Sequence, residues 1–248
     1  MAFERARAKL TVSLRITGIR HDGYHLIDAE MVTLDLADEL FFAEGNGLEI
    51  TVDGPAAYGL AVVADGNNLV SRAMRAVERQ ALVRLHKRIP AGAGLGGGSA
   101  DAAAVLRWAG RDTAADLPLA TSLGADVPFC VQGGRARVRG IGELIEPLAP
   151  VPAVYTLSIP PFGVSTPAVY RAWDSMGGAH GDNGNDLEAA ALEVEPRLQR
   201  WRDELQTTTG IRPTLAGSGS TWFVAGSFPG EGRVVAHAVV DPLSAQPV

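Results

Sequence analysis

The chain has almost no cysteine: one thiol, Cys130, in 248 residues. A lone thiol cannot close an internal disulfide, and no Cys/His spacing matches a zinc site, so neither a disulfide scaffold nor a zinc module is expected. Long hydrophobic runs are also missing. The opening MAFERARAKLTVSLRITG is interrupted by Arg15 before it reaches the core of a signal peptide or the length of a membrane span. No membrane partner is expected, and the cytoplasm is the expected compartment. Basic residues are not in excess either: 22 Lys and Arg face 28 Asp and Glu, a formal charge of -6. That balance excludes a non-specific grip on nucleic acid, so any anionic ligand must be held locally. Internal repeats and low-complexity tracts are absent, and no oligomeric state is implied.

What is present is an ordinary globular composition, 46% hydrophobic, enriched in turn formers with 29 Gly and 15 Pro. The segment KLTVSLRI alternates Leu10, Val12, Leu14 and Ile16 on one face, which predicts a half-buried strand. AEMVTLDL and GLEITVDG predict two more, an antiparallel start. Asn67 or Asn68 is placed to cap a helix running from Leu69 through SRAMRAVERQA, and LVRLHKRI returns as a strand. The proline-rich PLAPVPA near residue 150 marks a boundary between a first domain, 1–150, and a second, 151–248. In the second, NDLE opens a longer helix with Asn185 as cap and Glu188 three residues on. Its apolar stripe runs from Leu187 to Leu205, and Pro196 bends or divides it.

The most informative stretch is PAGAGLGGGSADAAA, which sets five glycines between Gly92 and Gly98 after a strand and before a helix. Ser99 stands where an N-cap is expected, with Asp101 in the first turn and Gly110 at the stop. Bare peptide N–H groups leading into a helix N-terminus form an anion site, most often for phosphate. A dinucleotide loop needs a further strand and an acidic residue downstream, and RDTAADLPLATSLGADVP supplies no such strand. A Walker loop needs a lysine where Gly98 stands.

A third phosphate loop matches better. PAGAGLGGGSADAA resembles the P-x-x-x-G-L-G-x-G-S-[SA] loop of the GHMP kinases, a superfamily of small-molecule kinases. The lysine-bearing strand RAKLTVSL and the C-terminal glycine turn LAGSGSTWFV resemble its other two motifs, in the same order. The resemblance implies an α+β, two-domain fold, with a first domain like domain 2 of ribosomal protein S5 that binds ATP and a ferredoxin-like second domain that serves the substrate. TGIRHDGYHLIDAEMVTLDLADEL, NNLVSRA, LGADVPFCVQGGRARVRGIGE and NDLEAAA are similar to the branch acting on a cytidine-diphosphate-linked methylerythritol in the non-mevalonate isoprenoid route. The implied partner is therefore a small molecule, and the implied cofactors are ATP and Mg2+.

Residue by residue, the resemblance assigns Lys9 and Asp126 to catalysis: a lysine beside a carboxylate that orients or deprotonates the attacking hydroxyl. From the residues alone, Lys9 could equally be a strand-edge charge and Asp126 a turn residue after Gly124-Ala125. Pro90, Gly92, Gly94, Leu95, Gly96, Gly97, Gly98 and Ser99 are assigned to the ATP phosphates, with the Ser99 hydroxyl near the phosphate or its metal. Asn68 is assigned to adenine or to its helix cap. Tyr24, His25 and Tyr170 are assigned to the cytosine, two aromatic faces and a hydrogen-bonding edge. Gly217, Ser218 and Gly219 close over the site beside the phosphates. Thr11 stands where the family usually has Asn and lacks an amide donor, so the contact that Asn makes is in question. Alternatives at this stage are another GHMP kinase, for homoserine, mevalonate or a sugar, and a nucleotide-binding relative without catalysis.

Overall fold

The computed structural model describes residues 1–58 and 60–240. Its strands are β1 (Ala2–Ile19), β2 (His25–Ala43), β3 (Gly47–Val52), β4 (Leu82–Lys87), β5 (Arg135–Gly140), β6 (Leu144–Pro147), β7 (Val154–Ser158), β8 (Thr214–Leu215), β9 (Trp222–Ala225) and β10 (Arg233–His237). The helices are α1 (Leu69–Ala76), α2 (Gly97–Trp108), α3 (Leu117–Leu123), α4 (Val127–Gln132), α5 (Thr166–Ser175), α6 (Glu188–Val194) and α7 (Leu198–Thr209). The first six strands form one sheet in the order β3-β4-β2-β5-β6 with β1 paired to β2, and the last four form a second in the order β10-β7-β9-β8. The proline-rich segment lies between them. Among the described residues, no helix is long and apolar enough to cross a membrane.

β1 and β2 form a long antiparallel ribbon whose register shifts three times, between Arg7 and Lys9, Thr11 and Ser13, and Ile16 and Gly18. Such irregularities re-aim side chains without ending the strand. The expected half-buried alternation fails where it matters most: Ala8, Lys9, Leu10 and Thr11 are all buried in succession. Both faces are covered there, Ala8 and Leu10 packing with Leu157, Phe223 and Ala236 of the second sheet. Farther along, Leu14, Ile16 and Met31 share a core with Val169, Leu187, Leu215 and Trp222. Residues 184–186 also join the ribbon, Leu14 N–H donating to the Gly184 carbonyl at 2.8 Å and Asp186 N–H to the Leu14 carbonyl at 3.0 Å. The two sheets are thus sewn together along β1.

Four expectations change. β3 is not part of an antiparallel meander; it pairs parallel to β4, because α1 and its flanking loops carry the chain back across the sheet. α1 stops at Ala76 instead of continuing to Ala81, since Glu78 adopts a left-handed φ of 53°. Pro196 divides the long helix into α6 and α7, and Asn185 does not cap it. The Asn185 amide donates to the Leu215 and Gly217 carbonyls, both at 2.7 Å, while its oxygen accepts from Leu187 N–H at 2.9 Å. α2, finally, begins two residues before Ser99. Gly96 is its N-cap with φ 69°, a left-handed turn open to glycine, so Ser99 falls inside the first turn and Asp101 beyond it.

Candidate active site

The glycine loop runs from the end of β4 to α2 and rests on β1, where Lys9 N–H donates to the Leu95 carbonyl at 3.0 Å. A side chain at Gly96 would place its Cβ 2.7 Å from Lys9 Cγ, so the loop must be bare for the lysine to pass beneath. At Gly94 a Cβ would lie 2.6 Å from the Gly219 carbonyl and 2.8 Å from that of Ala216. Loop and C-terminal glycine turn therefore meet backbone to backbone, and Thr221 N–H donates to the Ala93 carbonyl at 3.2 Å. The first intrahelical bond of α2 runs from Ala100 N–H to the Gly96 carbonyl, which leaves the N–H groups of Gly97, Gly98 and Ser99 without helical acceptors.

Lys9 Nζ lies 3.3 Å from Asp126 Oδ2 and donates to Thr11 Oγ1 at 3.1 Å. The lysine side chain is only 7% exposed and the aspartate 32%, so the pair sits at a cleft wall with the carboxylate outward. Asp126 immediately precedes α4, yet its side chain takes no capping bond. The cleft, about 640 Å³, is walled by both halves of the chain: Lys9, Thr11, Tyr24, His25, Gly94, Gly96, Ser99 and Asp126 from the first, Tyr170, Gly217 and Ser218 from the second.

At the far end, the turn between β1 and β2 is held by Asp22. Its carboxylate accepts from the Arg20 guanidinium at 2.6 Å and from Tyr24 N–H at 3.3 Å, and the bond from Arg20 holds its pKa below the usual carboxylate range. Tyr24 projects from this turn, 59% exposed, with the Arg20 guanidinium 5.4 Å from its ring. His25 packs on Tyr170 with centroids 4.7 Å apart. Burial, and then the Asp126 charge, push the Tyr170 hydroxyl up to about 12, so this face stays neutral at any working pH.

Not every expected residue reaches the cleft. Asn68 is occupied locally, its oxygen accepting from Val70 N–H at 2.9 Å and its amide donating to the Val63 carbonyl at 3.0 Å. That is the cap and not a ligand contact. Pro90, Leu95 and Gly97 are buried under the loop, while Gly92, Gly98 and Gly219 lie outside the cleft lining. Sequence reasoning missed Thr166 and Asp174. A signal existed: Thr166, Tyr170 and Asp174 recur every four residues and share one face of α5. Thr166 Oγ1 lies 2.7 Å from Ser218 Oγ, and Asp174 Oδ1 lies 2.7 Å from His25 Nε2.

Residues 68–134 match the GHMP kinases N terminal domain. The 4-diphosphocytidyl-2-C-methyl-D-erythritol kinase of Paracoccus denitrificans is 39% identical over 89% of this chain and 85% of its own. The chain belongs to the 4-diphosphocytidyl-2-C-methyl-D-erythritol kinase family. Within that family, the enzyme of the same name from Ruegeria pomeroyi is 37% identical over 97% of this chain and 95% of its own. A crystal structure of 4-(cytidine 5'-diphospho)-2C-methyl-D-erythritol kinase superposes with a TM-score of 0.72 at 30% identity, covering 95% of this chain and 98% of that one. The Leishmania major mevalonate kinase in complex with R-mevalonate, TM-score 0.63 at 12% identity and covering 92% of this chain and 88% of its own, shares the fold alone. The family member described here is an ATP-dependent small-molecule kinase with the α+β GHMP fold.

Proposed function

We propose that this kinase transfers the γ-phosphate of ATP to a hydroxyl of 4-diphosphocytidyl-2-C-methylerythritol, in the cytoplasm, within the non-mevalonate route to isoprenoids. The observation that carries the reading is the position of the Lys9–Asp126 pair, in one cleft with the glycine loop and with the aromatic turn of Tyr24 and His25. The loop and the first turn of α2 receive the triphosphate, and residues 1–150 form the ATP-binding half. The acceptor lies where residues 151–248 meet that half, its cytosine against Tyr24, His25 and Tyr170. The glycine turn Gly217–Gly219 closes the phosphate end.

Phosphoryl transfer asks mainly for placement and charge stabilisation. Asp126 accepts a hydrogen bond from the acceptor hydroxyl, orients it and takes its proton as the bond to phosphorus forms. Lys9 keeps that carboxylate ionised and faces the charge gathering on the transferred group. Magnesium fits the site as an ion held largely by phosphate and water. Among the described residues no cluster of three metal-ligating side chains occurs, while Ser99 and Asp126 offer oxygen to the cleft. When bound, it neutralises phosphate charge.

Incubating the protein with Mg-ATP and the cytidine-diphosphate methylerythritol should give a product heavier by one phosphate. Failure there, together with turnover of homoserine or mevalonate, would reassign the substrate.

A further inference from the structure

His25 is fixed on three sides, and all three come from the other half of the chain. Its ring packs on Tyr170, lies edge-on to Trp173 with centroids 5.6 Å apart, and presents Nε2 to Asp174 Oδ1 at 2.7 Å. All three partners sit in the last turns of α5, whereas His25 opens β2. The histidine side chain is 9% exposed and still lines the cleft, as does Asp174. An ionised carboxylate only accepts hydrogen bonds, so Nε2 carries a proton and the neutral ring keeps its lone pair on Nδ1. The choice of tautomer is therefore made by Asp174.

We infer that Asp174 is a positioning residue that sets which hydrogen-bonding partner His25 offers to a pyrimidine, and so makes the cleft select cytosine over uracil. The inference rests on the proposed cytidine-diphosphate substrate. The exocyclic amine of cytosine is a donor and suits a lone pair on Nδ1; uracil presents a carbonyl oxygen there, and two lone pairs would face each other. A buried polar group left opposite the wrong partner discriminates strongly. Nothing in this requires Asp174 to touch the ligand.

Asp174→Asn is nearly isosteric and removes the constraint, because its amide group donates to Nε2 as readily as its oxygen accepts from it, so the ring proton is no longer confined to Nε2. Titration of the full-length protein with CDP and with UDP reads the outcome. The wild-type protein should prefer CDP, and Asp174→Asn should lower the CDP-to-UDP affinity ratio by at least about tenfold. The KM for ATP and the melting temperature should hold. Asp174→Glu, which keeps the carboxylate, should recover part of the ratio. Equal weakening of both nucleotides, or an unchanged ratio, overturns the role of Asp174 and leaves the substrate reading standing. A wild-type protein that binds neither nucleotide overturns that reading and this inference with it.

Discussion

Lys9 and Lys87 lie under neighbouring glycines, each beside aspartate, and their surroundings differ in exposure and in the number of carboxylates. A Cβ on Gly96 would strike Lys9 Cγ, and a Cβ on Gly97 would come within 3.2 Å of Lys87 Nζ. Lys9 meets one carboxylate, 32% exposed, at the cleft wall. Lys87 meets two, Asp38 and Asp101, and these three side chains are 3%, 0% and 4% exposed. Asp38 Oδ1 accepts from Arg88 N–H at 2.5 Å and Ile89 N–H at 2.8 Å, and Asp101 Oδ2 accepts from Lys87 at 2.8 Å. The buried cluster thus ties β2, the exit of β4 and α2 together beneath the glycine loop. One ion pair is open to the cleft; the other holds the floor beneath the glycine loop.

The comparison is broken most severely from the open side. Asp126→Asn keeps shape and removes charge, so kcat should fall about a thousandfold, within the range general-base catalysis contributes, with ATP affinity and melting temperature retained. Near-normal turnover would take Asp126 out of the chemistry. From the buried side, Lys87→Met strands the Asp38 carboxylate in the interior and takes the donor from Asp101. Stability should drop by about 3 to 5 kcal/mol in urea titrations, while kcat of the folded fraction changes far less. A variant of normal stability but low kcat would mean that the two pairs share a single role.

The same contrast explains what the sequence could and could not tell. The bare loop was legible because glycine clustering has few other causes, and Asp126 because GADVP came with two companion motifs. Lys87 and Asp38 were not. Lys87 ends a strand that reads as polar and edge-like, and Asp38 sits 49 positions away, so only the register of β2 on β4 reveals the contact. The start of α2 was misplaced for a related reason: local capping preference favours Ser99, whereas the tertiary fit of Gly96 and Gly97 over two lysines sets the true start. Pro196 could be read either to bend or to divide its helix, and the chain divides there, Glu195 leaving the helical conformation just before the proline. The pairing of Asp174 with His25 was out of reach because it joins elements 149 positions apart.

Protonation sharpens the comparison further. Burial pushes Asp101 up to about 8, against the pull of Lys87, and its Oδ1 has no hydrogen-bond partner. Burial alone would lower Lys87, but Asp101 and Asp38 outweigh it and hold it above the usual lysine value, so it stays charged throughout. A carboxyl raised on folding contributes stability that is complete below its unfolded value, near 3.8, and is lost as pH climbs towards about 8. Wild-type protein should therefore lose stability relative to Asp101→Asn across that window, with the gap constant above it. Urea midpoints of both proteins between pH 5 and 9 test this, and parallel curves would show that Asp101 is ionised from the outset.

The smallest expected effect comes from Thr11. Its hydroxyl accepts from Lys9 Nζ, and a Cβ on Gly217 would lie 3.6 Å from it and 3.7 Å from the ammonium. The hydroxyl therefore holds the lysine between Asp126 and the glycine turn, a duty distinct from contact with substrate. Thr11→Val keeps the volume of this buried site and removes one charge-assisted hydrogen bond, so kcat should fall about tenfold with little change in melting temperature. Thr11→Ser retains the hydroxyl and should stay close to wild type. If Thr11→Val instead raised the KM for the acceptor at constant kcat, the hydroxyl would belong to substrate binding, and Asp126 alone would hold Lys9 in place.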